Sequence, residues 1–224
     1  MDVVYPYKDT GEHTELRFSL RSLANLPHDH VVIAGDCPSF VRNVVHVPVR
    51  QHGRNKIANS LANVVAACRL SRLSDDFILM NDDFYVLEFQ SRLQPYFRGT
   101  LDGYIAKAKR GGMYERLARA TDALLLASGV TVPLDYGLHI PMVFNKHRVL
   151  ELCERFQGRG FLLRSLYHNL YRTGGALRER DVKGIPIEEA TDFFSSSNAS
   201  GQSAAFIEHM TRRFPEACYY EREH

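Results

Sequence analysis

The stretch Phe77-Ile78-Leu79-Met80-Asn81-Asp82-Asp83-Phe84 decides the fold. Four consecutive apolar residues predict a short buried strand. The strand then stops at two adjacent carboxylates. In an open α/β sheet, ligands sit beyond the carboxyl ends of the strands. Carboxylates at that edge are a natural seat for a hard divalent cation, which in turn holds phosphate oxygens. The competing reading is a plain surface turn, because Asn-Asp-Asp is also good turn chemistry. Neighbouring strand residues point to opposite faces, so Asp82 and Asp83 reach one ion only if the strand has already turned. Otherwise one of them faces the site and the other caps the turn.

Working outward, the chain alternates strands with helices. Val3–Tyr5, Val31–Ala34 and Val44–Val49 read as strands. Glu15–Leu26 has helical spacing through Leu16, Leu20 and Leu23, and Lys56–Leu70 has it through Ile57, Leu61, Val64, Val65 and Cys68. The first 87 residues thus read β-α-β-β-α-β, which predicts a largely parallel sheet. Further on, Arg98–Gly103 reads as a turn and Tyr104–Ala108 as a strand. Lys109-Arg110-Gly111-Gly112 reads as a flexible basic loop. Helices are expected over Tyr114–Ser128, Lys146–Phe156, Leu162–Tyr171 and Ala204–Arg213. Leu138–Phe144 is an extended segment, and Pro141 argues for an edge position. Ser195–Ser203 is a loop without core-forming residues, either a lid or a plain connector.

The chain has 224 residues and is 45% hydrophobic, the proportions of one soluble α/β domain. A net charge of +2 gives no field that would recruit nucleic acid. No segment approaches the roughly 18 apolar residues that span a bilayer, and the N-terminus has no basic head or long apolar run. The four cysteines, Cys37, Cys68, Cys153 and Cys218, form no CxxC pair and read as reduced, mostly buried thiols. A cytoplasmic protein is the expectation.

Several blocks then resemble, in order, the Stealth phosphosugar transferases of bacterial capsule synthesis, to which the catalytic part of N-acetylglucosamine-1-phosphotransferase is related. Asp2-Val3-Val4-Tyr5 is similar to the family's opening D-[IV]-V-Y strand. Glu15-Leu16-Arg17-Phe18-Ser19-Leu20-Arg21-Ser22 is similar to its ELRYSLRS helix, and Asn81-Asp82-Asp83-Phe84 follows in register. His139-Ile140-Pro141 resembles its H-x-P, Leu163-Arg164-Ser165 its F-R-S, and Phe214-Pro215-Glu216 its terminal FPE. The helix that carries a functional Glu in the family reads Asn59-Ser60-Leu61-Ala62-Asn63 here and has no acid, which strengthens plain sugar transfer as the alternative chemistry.

The resemblance implies a Rossmann-like, glycosyltransferase-A-type α/β fold with a mostly parallel sheet flanked by helices. It is read as one domain, with residues 1–108 as its nucleotide-binding half and 109–224 as a mainly helical acceptor and catalytic half. It implies a UDP-sugar donor, a glycan or protein acceptor, and Mg²⁺ or Mn²⁺ on Asp82 and Asp83. Asp83, His139 and Arg164 would be the catalytic residues. A histidine shuttles protons near neutrality, and an arginine offers a planar fork that matches phosphate.

Further candidates line the same expected cleft. Arg54 and Lys56 precede a helix whose free N–H groups favour anions. Asn59 and Asn63, one helical turn apart, read hydroxyls or a base if their helix lines the cleft, and are ordinary polar positions if it does not. Val4 and Tyr5 end the first strand, where Tyr5 would stack on a uracil. Asn81 adjoins the carboxylates, and Arg17 shares a helical face with Arg21, pairing with a ligand or with Glu15 or Asp36. The main expectation is transfer of a sugar-1-phosphate. The alternatives are transfer of the sugar itself with release of a nucleoside diphosphate, and a silent nucleotide-sugar- or glycan-binding module.

Overall fold

The computed structural model describes residues 1–50, 55–197 and 200–222. In chain order these hold β1 (Asp2–Tyr7), α1 (Thr14–Ser22), β2 (Val31–Gly35), β3 (Val45–Pro48), α2 (Lys56–Cys68), β4 (Asp76–Leu79) and β5 (Phe84–Val86). There follow β6 (Tyr96–Phe97), α3 (Leu101–Lys107), α4 (Met113–Ala127), β7 (Met142–Asn145), α5 (Lys146–Arg155), α6 (Leu163–Leu170), β8 (Ala176–Leu177), β9 (Phe193–Ser195) and α7 (Ala204–Arg213). The chain divides into two compact units. One comprises Met1–Leu93, His139–Leu150 and Val182–His224, the other Gln94–Leu138 and Glu151–Asp181. The boundaries fall after residues 93, 138, 150 and 181.

The first unit is built on a five-stranded sheet of order β3-β2-β1-β4-β7. The first four strands run parallel and β7 runs antiparallel to β4. The apolar runs Val31–Ala34 and Phe77–Met80 are almost fully buried, as strands covered on both faces must be. β7 is an edge strand, and Pro141 just precedes it, where a missing N–H does no harm to the ladder. Strand order reverses between β1 and β4: the chain leaves β1 toward β2 and β3, then crosses back to β4. That reversal is a topological switch point, and in open α/β sheets ligands bind beyond the carboxyl ends of the strands at such a point.

A second apolar cluster in this unit gathers Phe18, Tyr85, Leu87, Ile187, Phe194, Phe206 and Met210. It joins α1 and α7 to the β5–β9 pair. β5 and β9 are antiparallel, with Phe84 opposite Ser195. Sequence periodicity does not predict this short pair, because three-residue strands carry too few positions to show alternation.

In the second unit, residues 101–107 form α3 where a turn and then a strand are expected. Thr100 caps the helix, its side chain accepting from Gly103 N at 3.1 Å, and the i,i+4 pair Leu101 and Ile105 is buried. Cap and spacing together outweigh the aromatic and β-branched content of Tyr104–Ile105.

His168, on α6, is fully buried against Tyr136 and Tyr167, with Nδ1 2.7 Å from Thr173 Oγ1. Burial, reinforced by the Arg164 charge, depresses its pKa to about 3. A folded-state pKa below the unfolded value means that protons bind preferentially to the unfolded chain. The contribution of neutral His168 is therefore complete above about pH 6.5 and is lost as pH falls toward 3, at about 1.4 kcal/mol per pH unit. Urea unfolding of wild type and His168→Gln between pH 6.5 and pH 4 should give a visibly shallower pH slope for the variant. Equal slopes would mean that another group governs the acid limb.

Among the four cysteines only Cys68 is buried; Cys37, Cys153 and Cys218 are half-exposed, fewer buried thiols than composition suggests. Among the described residues, no helix is long and apolar enough to cross a membrane.

Candidate active site

β4 ends at Leu79, and Asp82 and Asp83 lie in the turn that follows. The alternating geometry of a strand no longer separates them. Phe84 N closes the turn on Asn81 O at 3.2 Å and starts β5. Ser19 of α1 fixes the same turn from below. Its one hydroxyl proton goes to Phe84 O at 2.7 Å or Asn81 O at 3.2 Å, so it accepts from Tyr5 OH at 3.0 Å. Asn81 thus contributes its carbonyl to the turn.

Pairing of β5 with β9 brings distant groups to Asp83. Ser196 N donates to Asp83 O at 3.2 Å. Ser195 Oγ lies 3.5 Å from Asp83 Oδ2, and Lys183 Nζ lies 2.7 Å from the same oxygen. Ser196 Oγ donates to Glu15 and accepts from Tyr85 OH at 3.0 Å. A Cβ on Gly201 would meet Glu15 Oε1 at 2.0 Å, so the turn after Ser200 packs directly on that carboxylate. Ser195 and Ser196 are fully buried, contrary to the expectation of a loop without a packed role. Their hydroxyls are satisfied by carboxylates and a phenol, which makes burial tolerable. Asn198 and Ala199 of the expected loop lie outside the described residues.

Glu15, Asp82 and Asp83 therefore concentrate three carboxyl groups near one ammonium. Burial lifts the Asp82 carboxyl to about 7, and the Asp83 and Glu15 charges push the same way. Glu15 is raised for the same reasons, burial first and Asp83 next. The cluster is short of positive charge, and a dication would relieve it. Among the described residues no group of three or more His, Cys, Asp or Glu side chains is arranged as a complete metal cage. Mg²⁺ commonly takes one or two carboxylates and completes its shell with water and substrate phosphates. The two aspartates fit that pattern.

The other expected site residues divide clearly. His139 sits at the entrance to β7, which starts at the edge where β4 ends. Its ring meets the ring of Phe84 edge-on at 6.0 Å, so it belongs beside the aspartate turn. Asn63 of α2 is 2% exposed and donates from Nδ2 to Tyr7 O at 3.4 Å, at the carboxyl end of β1. Its Oδ1 has no hydrogen-bond partner among the described residues. Asn59 is buried one turn earlier on the same helix. Lys56 is exposed in the first turn of α2, which Asn55 caps, and Arg54 lies outside the described residues. Arg164 is the second residue of α6 in the other unit, where it acts electrostatically on His168.

Three expectations change. Val4 and Tyr5 are fully buried, and the Tyr5 hydroxyl is held by Ser19, so Tyr5 is a core residue rather than a stacking platform. Arg17 pairs with Glu221 at 3.0 Å, while its guanidinium covers Phe40 at 3.9 Å. Arg21 joins the same carboxylate at 2.7 Å. Sequence reasoning missed Lys183, the cationic partner of Asp83, and gave Glu15 no part in the acidic cluster.

No family model matches the chain, and no curated protein matches its sequence. Solved structures do match its fold. One is the galactosyltransferase LgtC in complex with donor and acceptor sugar analogs, at 12% identity and a TM-score of 0.51, covering 99% of this chain and 98% of that one. Another is the apo form of the glycosyltransferase GlyE of Streptococcus pneumoniae, at 10% identity and a TM-score of 0.43, covering 96% of this chain and 60% of that one. A Drosophila β1,4-galactosyltransferase 7 mutant bound to manganese, UDP-Gal and xylobiose matches at 12% identity and a TM-score of 0.36, covering 97% and 75%. The fold is an α/β fold of the glycosyltransferase-A type, with a mainly parallel sheet flanked by helices.

Proposed function

We propose that this protein is a nucleotide-sugar-dependent glycosyltransferase whose donor lies across the carboxyl ends of β1 and β4. The observation that carries the reading is the Asp82-Asp83 turn at the switch point of the sheet, crowded with negative charge that a cation and a diphosphate together would balance. A shared fold with a galactosyltransferase crystallised with donor and acceptor sugar analogs supports it.

In this reading Asp82 and Asp83 hold Mg²⁺ or Mn²⁺, which when bound supplies charge neutralisation to the leaving diphosphate. The uncommitted oxygen of Asn63, buried at the end of β1, accepts from a donor hydroxyl or from a base N–H. Asn59, one turn away, reads a neighbouring hydroxyl. Lys56 and Arg54 attract the anionic donor from solvent. The acceptor oxygen attacks the anomeric carbon. The bond from that carbon to the phosphate oxygen breaks, and the nucleoside diphosphate leaves with the electron pair. His139, beside the turn, takes the acceptor's proton.

The second reading is transfer of a sugar-1-phosphate, in which the acceptor attacks the sugar-bearing phosphorus and a nucleoside monophosphate leaves. The ordered motif blocks, including His139, favour it. Product analysis separates the two: nucleoside diphosphate for the first, monophosphate for the second.

Donor binding is tested by a thermal-shift screen of nucleotide-sugars with and without Mn²⁺. A donor at 100 times its dissociation constant adds about 2.7 kcal/mol. For a chain of this length that is a rise of roughly 5–10 °C. Absence of any shift across UDP-, GDP-, CMP- and dTDP-sugars would refute both transferase readings.

A further inference from the structure

We propose that Lys183 is an internal latch on the carboxylate seat, holding Asp83 in the cation-free protein and competing with a divalent cation for the same oxygen. The inference rests on Asp82 and Asp83 being the cation and diphosphate seat. Its own basis is the contact between Lys183 Nζ and Asp83 Oδ2 at 2.7 Å, an ion pair that spans 100 residues of sequence. The two side chains are 31% and 18% exposed, so the pair is sheltered and still reachable by an ion.

The backbone beneath Lys183 is held firmly. Lys183 bridges Ser195 in parallel register, Ser195 N donates to Val182 O at 3.4 Å, and Val182 is buried. Register therefore fixes where the side chain starts, while its four methylenes leave the ammonium free to swing. Asp83 Oδ2 already faces two donors, Lys183 and Ser195 Oγ. A cation that takes this oxygen must displace the ammonium. Once displaced, Lys183 carries three N–H donors and a full charge beside the position of the donor phosphates, and those phosphates are its natural next partner.

This arrangement couples the two ligands. A cation alone must break the ion pair without compensation. A cation arriving with a nucleoside diphosphate offers Lys183 a new anion, so each ligand tightens the other by the same factor. The latch keeps the site from being loaded by cation in the absence of donor.

The test is direct Mn²⁺ binding, read as loss of the free-ion electron paramagnetic resonance signal, with MnCl₂ alone and with UDP. Lys183→Met is expected to bind Mn²⁺ alone roughly fivefold or more tightly than wild type, the scale of a partly screened ion pair. UDP should then improve Mn²⁺ affinity more in wild type than in Lys183→Met. Lys183→Arg, which keeps a cation at the position, should retain the weak wild-type affinity and serves as a control for folding. Asp83→Asn in the Lys183→Met background should remove the gain. Equal affinities for wild type and Lys183→Met, both dependent on Asp83, would overturn the latch and leave the cation seat intact. No Mn²⁺ binding by either protein, with or without UDP, would overturn the latch and the cation seat together. The donor thermal-shift screen in the absence of metal would then still decide the transferase reading by itself.

Discussion

Asp83→Asn is expected to lower turnover by two to four orders of magnitude while leaving the protein folded. The exchange keeps the shape of the side chain and removes its charge. It takes away a cation ligand at the position where charge builds on the leaving diphosphate. Such stabilisation is worth several kcal/mol, and each 1.4 kcal/mol is about tenfold in rate. The fold should survive, because the turn is held by backbone groups: Phe84 N on Asn81 O and Ser196 N on Asp83 O. Lys183 loses its partner, but its ammonium is near enough to solvent for water to replace it. The measurement is nucleotide release with the donor found in the thermal-shift screen, alongside circular dichroism. Turnover within a few-fold of wild type would take Asp83 out of the mechanism.

The largest effect on stability is expected at the other end of the chain. Glu221→Ala should destabilise the protein by about 3 kcal/mol, a fall in Tm of roughly 6–12 °C. The Glu221 side chain is fully buried. It accepts from Arg17 Nη1 at 3.0 Å, from Arg21 Nε at 2.7 Å and Nη2 at 3.0 Å, and from Cys218 N at 3.0 Å. Truncation leaves two guanidinium groups and a backbone N–H facing a void. It also loosens the C-terminal segment, which Val41↔Glu221 and Arg222 N to Phe40 O tie back to the loop before β3.

Burial alone would push the Glu221 carboxyl up, but Arg21, Cys218 N and Arg17 together hold it below the usual glutamate range. A depressed carboxyl contributes stability that is complete above its unfolded value and disappears as pH falls through the folded one. The variant should therefore lose less stability than wild type on acidification below about pH 4.3. Calorimetry at pH 7 and pH 4 checks both statements, and a Tm within 2 °C of wild type at pH 7 would show that solvent already screens the two arginines.

These two sites show how differently the chain announces its residues. Asp82 and Asp83 are legible because one local pattern, an apolar run cut off by acids, states both the strand and the turn that ends it. Asn63 is legible as a position on a helical face, although only its placement at Tyr7 O reveals a buried oxygen without a partner. Arg17 and Arg21 are visible as a recurring i,i+4 pair, yet nothing local names Glu221, some 200 residues away, as what they hold. Tyr5 has the composition of a ligand platform. Its depth in the sheet, and the Ser19 hydroxyl waiting for its proton, make it core.

The order of strands and helices from β1 to β4, the largely parallel sheet and the acidic turn after β4 belong to the sequence alone, because periodicity and chain punctuation are local properties and the right-handed crossover leaves few topologies to choose from. Which cation faces Asp83, which hydroxyl binds Glu15 and why two serines can be buried were decided only in three dimensions. Those partners meet through the pairing of β5 with β9 and the bridge from Ser195 to Lys183. Such contacts join residues a hundred positions apart, and a polar side chain carries no mark in sequence of the partner that will satisfy it.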